Sequence, residues 1–96
     1  MSASSVEQRA VLEAIVACER LTRELTELIA RHDHAASVAR ADWTGPYRDT
    51  FEERVAAVRR NLDAGQRWVL RVLHEAEGNL AALQAEAALL RMTGVR

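Results

Sequence analysis

The side chains best suited to chemistry stand together at His32, Asp33 and His34, with the lone Cys18 upstream. Imidazole, carboxylate and thiolate groups are common zinc ligands, so this grouping raises the question of a metal site. On a helix, however, His32 and His34 point about 200° apart, and Cys18 precedes His32 by about four turns. These spacings separate the ligands, and we predict no metal site.

No spacing in the chain is typical of a catalytic site. A Ser-His-Asp, Cys-His or paired-carboxylate arrangement is not supported, and two straight helices offer no pocket that would desolvate one. We therefore predict that the protein is not an enzyme and that it uses no cofactor and no small-molecule substrate.

Composition favours one small helical domain. Of the 96 residues, 49% are hydrophobic but only 4% are aromatic, which favours helices packed through Ala and Leu over a sheet. The 13 basic and 14 acidic residues are mixed along the chain, so its charge indicates neither nucleic acid nor an anionic membrane as a partner. The first residues lack the basic and apolar segments of a cleaved secretion signal.

The chain is predicted to be all-α, a single antiparallel hairpin with helix 1 over about 5–39, a turn over about 40–45 and helix 2 over about 46–92. Ser4 and Glu7 have the spacing of a capping box at the start of helix 1. Gly45 and Pro46 fit a cap followed by the first residue of helix 2. Gly94 is typical of a helix end.

Both helices carry a broad apolar stripe. In helix 1 the stripe is Val11, Ala14, Cys18, Leu21, Leu25, Leu28, Ala35 and Ala39, widened by Ile15, Ile29 and Ala36. In helix 2 it is Tyr47, Phe51, Val55, Val58, Leu62, Val69, Val72, Leu73, Ala76, Leu80, Leu83, Ala87 and Leu90. A two-helix hairpin gives each helix one neighbour and covers only part of such a stripe.

The uncovered part of the stripes predicts a second chain, and pairing of two hairpins into a four-helix bundle would cover it. The predicted dimer interface consists of Leu21, Leu25, Leu28, Val58, Leu62, Trp68, Val69, Val72 and Leu80. Trp68 is open to two interpretations, a contact with the partner or a residue that covers the edge of the core.

The turn concentrates scarce residue types, because Trp43, Gly45 and Phe51 fall close together between the two long helices. This order resembles the WXG-motif family, the ESAT-like small proteins exported by type VII secretion systems of actinobacteria and firmicutes. Trp43 and Gly45 carry the motif, and Pro46, Tyr47 and Phe51 support it.

The resemblance implies a hairpin that pairs with itself or with a similar WXG-type hairpin. It also implies that the Trp43 to Gly45 turn forms part of a surface recognised by the export ATPase. The protein would reside in the cytoplasm and then be secreted by a route that needs no signal peptide.

The chain departs from the family pattern at its tail. The only tyrosine is Tyr47, and the final stretch ALLRMTGVR lacks the Tyr-x-x-x-Asp/Glu element that follows helix 2 in the family or its partners. Two explanations stay open. A partner chain carries the element, or the protein is a homodimeric relative that has lost it.

Two other functions compete with secretion. In the first, the protein is a cytoplasmic adaptor or dimerisation hairpin whose turn is only structural. In the second, the arginines of helix 2 bind nucleic acid, but acidic residues interleave with Arg59, Arg60, Arg67 and Arg71, which favours a solvated helix face.

Overall fold

The computed structural model describes residues 3–94, and the side chains of residues 5–94. Helix α1 spans Ala3–Asp42 and helix α2 spans Arg48–Met92, and the two pack against each other along their length. The molecule measures 74 × 16 × 15 Å. The predicted all-α hairpin is confirmed.

Three of the four helix ends differ from the predicted ones by two or three residues. Helix α1 is already helical at Ala3, so Ser4 lies inside its first turn, and the side chain of Ser4 lies outside the described residues. Helix α2 begins two residues after Pro46, because Gly45 to Arg48 form a separate turn closed by the Arg48 N–H donating to the Gly45 carbonyl at 3.1 Å.

The end of α2 follows the sequence signal. Gly94 has a φ of +71°, in the left-handed region that glycine adopts without strain. Its N–H donates to the Arg91 carbonyl at 3.3 Å, as in the usual glycine stop of a helix. The predicted role of Gly94 is confirmed.

The residues that face the other helix repeat every three and four positions, which is the heptad spacing of a coiled coil. We call this contact the seam. In α1 the shielded seam positions are Val11, Ile15, Cys18, Thr22, Leu25, Ile29, His32, Ala36 and Ala39. In α2 they are Val55, Arg59, Leu62, Gln66, Val69, Leu73, Ala76, Leu80, Leu83 and Ala87.

Several seam positions are polar, and hydrogen bonds satisfy them. The Thr22 hydroxyl donates to the Cys18 carbonyl at 2.8 Å, and the Gln66 amide donates to the Thr26 hydroxyl of the other helix at 3.0 Å. Burial of a hydrogen-bonded polar group reduces the stability of the fold little, whereas burial of a polar group without a hydrogen bond costs about 1–3 kcal/mol of stability. The seam therefore accepts these residues without a large loss of stability.

The core is thin. The buried hydrophobic side chains are Cys18, Ile29, Ala36, Val69 and Ala76. The accessible surface is 7371 Å², about a third more than the roughly 5500 Å² of a typical folded monomer of this mass. The excess exceeds the roughly 800 Å² that each partner contributes to a stable protein interface.

Candidate protein-interaction site at the hairpin tip

Trp43 and Phe51 form an aromatic pair where the chain reverses. Their ring centroids are 4.9 Å apart and the ring planes meet at 29°, an arrangement that adds about 0.5–1.5 kcal/mol beyond the area it buries. Phe51 lies in the first turn of α2, and its ring packs against one face of the indole. Trp43 nevertheless remains 38% exposed, so one side of the ring is presented to solvent.

Gly45 leaves room for the indole. A Cβ built at Gly45 would lie 3.3 Å from Trp43 Nε1, which is tighter than most Cβ contacts, and 3.7 Å from its Cδ1, an ordinary van der Waals distance. The φ of Gly45 is not positive, so a left-handed backbone conformation is not the reason for a glycine here. The Trp-x-Gly spacing instead lets the indole lie directly on the backbone of Gly45.

An open depression of about 480 Å³ continues from the indole along α2, lined by Trp43, Tyr47, Thr50, Phe51 and Arg54. Tyr47 is 70% exposed, and its ring contributes a large amphipathic surface beside the depression. Exposed aromatics and arginine around a concave surface are typical of protein interfaces. Three of the predicted motif residues, Trp43, Tyr47 and Phe51, therefore line one depression.

A network of arginines and one carboxylate fixes the tip beneath these rings. Arg40 from α1 binds Glu52 from α2 in bidentate fashion at 2.6 and 2.9 Å. Arg48 also donates to Glu52, at 3.0 Å. Its other end donates to the carbonyls of Trp43 at 2.7 Å and Arg40 at 3.3 Å.

The network has two physical roles. Arg48 places a cation on the free carbonyls at the end of α1, where the helix dipole favours positive charge. Arg40 and Glu52 join the two helices across the turn with a planar fork that fixes orientation. This cluster was not predicted from the sequence, although Arg48 and Glu52 have the four-residue spacing of a helical ion pair.

The hydrogen bonds from Arg40, followed by those from Arg48, lower the pKa of Glu52 to about 2, although burial acts against them. Unfolded glutamate has a pKa of about 4.3. The stabilisation from this group is therefore fully present above the unfolded value and is lost as the pH falls towards about 2.

Acid is accordingly expected to loosen the tip, with Trp43 as the reporter in a Trp68→Phe variant. Indole emission should shift to the red between about pH 4.3 and the folded pKa, because protonation of Glu52 removes the negative charge that holds Arg40 and Arg48. In Glu52→Gln the indole should be less shielded at pH 7 and should change little on acidification. Coincident titration curves for the two proteins would contradict this role.

The two long sides of the hairpin differ in character. On one side, residues that directly follow seam positions form ion pairs, since Arg59 bonds both Asp33 and Asp63. The bond from Arg59, then that from His32, lowers the pKa of Asp33. We call this side the polar face; the exposed Leu12 and Leu70 also lie on it by spacing.

The opposite side, which we call the apolar face, consists of residues that directly precede seam positions. They are Ala14, Leu21, Leu28 and Ala35 on α1 and Val58, Trp68 and Val72 on α2, and Phe51 continues this row seven residues before Val58. Leu21, Leu28, Val58 and Trp68 are 44%, 46%, 45% and 58% exposed. The apolar face begins at the aromatic tip and runs towards the open end of the hairpin.

At the open end the same face contains a second depression of about 430 Å³, lined by Glu7, Ala10, Val11, Asn79, Ala82 and Leu83. Asn79 directly precedes the seam residue Leu80, and Glu7 lies seven residues before Ala14 of the apolar face, so residues of this face from both helices line one depression. The apolar surface is therefore nearly as long as the hairpin.

The predicted dimer residues divide between the seam and the apolar face. Leu25, Leu62 and Leu80 are partly shielded seam residues, and Val69, at 4% exposure, is covered by the hairpin itself. Leu21, Leu28, Val58 and Trp68 remain exposed, and Val72 is half-buried beside them. Only this second group offers substantial surface to another chain.

The His32 and Asp33 side chains lie 3.3 Å apart, but no three potential ligands among the described side chains gather into a metal site. Neither α1 nor α2, as described, has the length and apolar character needed to cross a membrane. Comparison with protein families, curated proteins and solved structures finds no match to this chain.

Proposed function

We propose that this chain is a small ESAT-like protein of a type VII secretion system, acting as a substrate or as the co-secreted partner of one. It works by protein–protein recognition and not by catalysis. The observation that supports the proposal most directly is the tip, where Trp43 lies on Gly45, stacks on Phe51 and still exposes part of its indole. The Trp-x-Gly motif thus has a defined shape on a two-helix hairpin.

The export ATPase would recognise the protein by binding this tip. A partner that binds an exposed aromatic gains most when the ring is already held in position, because little side-chain entropy is then lost on binding. The stacking of Phe51 on the indole and the Arg40–Glu52 bridge between the two helices supply that rigidity. Tyr47 and Arg54 would flank the contact.

The apolar face supports the second part of the proposal, a four-helix bundle made with itself or with a similar WXG-type hairpin. A folded pair would leave the cytoplasm together by a route independent of a signal peptide. Because the tail carries no Tyr-x-x-x-Asp/Glu element, a partner chain would supply that signal, or this chain would pass without it.

Export in a host with a type VII system tests the proposal. Trp43→Ala should lower the amount of protein in the culture filtrate at least about tenfold, as expected for loss of an aromatic anchor worth 2 kcal/mol or more. Gly45→Val should also lower it, because its side chain displaces the indole. The control Leu12→Ala alters an exposed residue far from the tip and should be exported normally.

Circular dichroism of the same variants separates secretion from the second candidate, an adaptor hairpin with a structural turn. The stacking of Trp43 on Phe51 favours that candidate, because the indole already has a packing partner within the hairpin. If the protein is secreted through recognition of the tip, the Trp43→Ala variant should keep its helix content but should no longer be exported. Normal export of folded Trp43→Ala would contradict recognition through the tip, and absence of the unmodified protein from the culture filtrate would overturn the secretion proposal. Loss of helix in Trp43→Ala would favour the adaptor.

A further inference from the structure

Arg54 lines the tip depression with an exposed side chain whose charge is not neutralised within the hairpin. Glu52 is already bound by Arg40 and Arg48, and Arg54 forms neither a hydrogen bond nor an ion pair with any residue of the described range 3–94. A guanidinium group offers five N–H donors and no acceptor. The depression therefore contains a cation that can bind an anion from outside the hairpin.

The other polar groups around the depression can also donate hydrogen bonds. The indole N–H of Trp43 and the hydroxyls of Tyr47 and Thr50 have no hydrogen-bond partner in the part of the chain that the structure describes. The indole N–H can only donate, whereas a hydroxyl can donate or accept. Three acids near the tip lie outside the lining of the depression: Asp42, Asp49 and Glu53. The depression thus presents donors and positive charge without a carboxylate of its own.

The depression also has an aromatic wall. The Trp43 and Phe51 rings are stacked with their centroids 4.9 Å apart, and the ring of Tyr47 is 70% exposed beside them. The volume of about 480 Å³ lies within the range of roughly 300–1,000 Å³ found for ligand sites, and the depression is open along α2. An extended protein segment with an apolar side chain for the rings and an anionic group for Arg54 would fit this surface.

A carboxylate is the protein side-chain group that best suits these donors, because its two oxygens can accept two parallel N–H bonds from one guanidinium. We propose that the tip depression binds an acidic segment of a partner protein, with an Asp or Glu carboxylate on Arg54 and an adjacent apolar side chain on the Trp43 and Tyr47 rings. The inference rests on the proposed function, which makes the tip a recognition surface, and adds the chemistry of the partner. The rings supply contact area, and the charge supplies selectivity.

Titration of the unmodified full-length protein with two blocked peptides tests this chemistry. The peptides acetyl-Leu-Glu-Leu-amide and acetyl-Leu-Gln-Leu-amide differ in the charge of the central side chain. Proton–nitrogen NMR follows the indole N–H of Trp43, which is identified by its persistence in Trp68→Phe. The acidic peptide should shift this resonance at millimolar concentrations and bind about fivefold more tightly than the neutral one, as expected for an exposed ion pair.

Two arginine variants locate the charge. Arg54→Gln should remove the preference for the acidic peptide. Arg60→Gln is the matched control, because Arg60 is also exposed and has no partner among the described residues, but it lies about 120° around α2 from Arg54. This control should keep the fivefold preference. Circular dichroism checks that both variants retain their helix content.

Several results of the titration would overturn the proposal. One is the absence of a shift with either peptide, and another is equal affinity for the two peptides in the unmodified protein. A preference that survives in Arg54→Gln would place the anion elsewhere. An equal shift of the Trp43 indole with inorganic phosphate at the same concentration would show a general anion site and no selectivity for an acidic segment.

Export of charge-reversal variants separates this inference from the proposed function. In a host with a type VII system, Arg54→Glu should lower the amount in the culture filtrate about fivefold, because like charges then meet at the contact, and Arg60→Glu should be exported normally. Normal export of Arg54→Glu together with loss of export in Trp43→Ala would contradict the acidic partner and leave the proposed function intact. Absence of the unmodified protein from the filtrate would overturn the proposed function, whereas the peptide titration would still decide the inference.

Discussion

Val69→Asp is expected to abolish the hairpin. Val69 is the most shielded side chain of the core, with 4% of its surface exposed, and it faces α1 from the middle of α2. A carboxyl group there must lose its hydration without gaining a partner, which costs about 3 kcal/mol or more. Total stabilities are only about 5–15 kcal/mol, and this core is small, so most of the helix should be lost near room temperature.

Leu70→Asp is the matched control for this substitution. Leu70 is the next residue on the same helix and is 44% exposed, so the same carboxylate stays in water there. Helix content measured by circular dichroism, and its thermal midpoint, should remain near those of the unmodified protein. If Val69→Asp melted like Leu70→Asp, the seam assignment of α2 would be incorrect.

If two copies pair through the apolar face as proposed, the double variant Leu21→Glu with Leu28→Glu is expected to convert that dimer into folded monomers. Each leucine is nearly half exposed in the single hairpin, so the substitutions leave the seam intact. In a symmetric dimer each change occurs twice. Burial of one leucine contributes about 1.5–3 kcal/mol, so the dissociation constant should rise at least about a thousandfold.

The control for this prediction is the double variant Leu12→Glu with Leu70→Glu. These leucines are 48% and 44% exposed, close to the values for Leu21 and Leu28, but they lie on the polar face. Sedimentation velocity should show this control as a dimer and the first variant as a monomer. The reverse outcome would assign the interface to the polar face.

Much of the architecture could be predicted from the sequence, because apolar periodicity and punctuation by glycine and proline are local signals. They gave two helices, a reversal near Trp43 and an end at Gly94. The exact start of α2 could not be obtained, since Gly45 and Pro46 suit either a helix start or a separate turn. The hydrogen bond from Arg48 to Gly45 decides for the turn.

The phase of the seam could not be predicted from hydrophobicity alone. The apolar pattern groups Leu21 and Leu28 with Leu25, whereas the structure turns the first two outward and places Thr22 and Gln66 inward. Those polar positions are acceptable only because Cys18 and Thr26 supply hydrogen-bond partners. Such pairings depend on the register of two helices far apart in sequence, and no local pattern contains that information.

The candidate site, too, could be predicted from the sequence only in part. The clustering of Trp43, Gly45 and Phe51 was visible in the sequence, but the reason for the glycine was not, since it depends on where the indole lies. The Arg40–Glu52 bridge joins residues on either side of the turn. Its geometry follows from how the chain reverses and could not be derived from either helix by itself.

Sedimentation equilibrium of the unmodified chain at micromolar concentration tests most directly the central claim that another hairpin covers the apolar face. The account predicts a species of twice the 10.7 kDa chain mass, with a dissociation constant in the micromolar range or below. A helical species of single-chain mass at these concentrations would contradict it, because Leu21, Leu28 and Trp68 would then remain stably exposed to water.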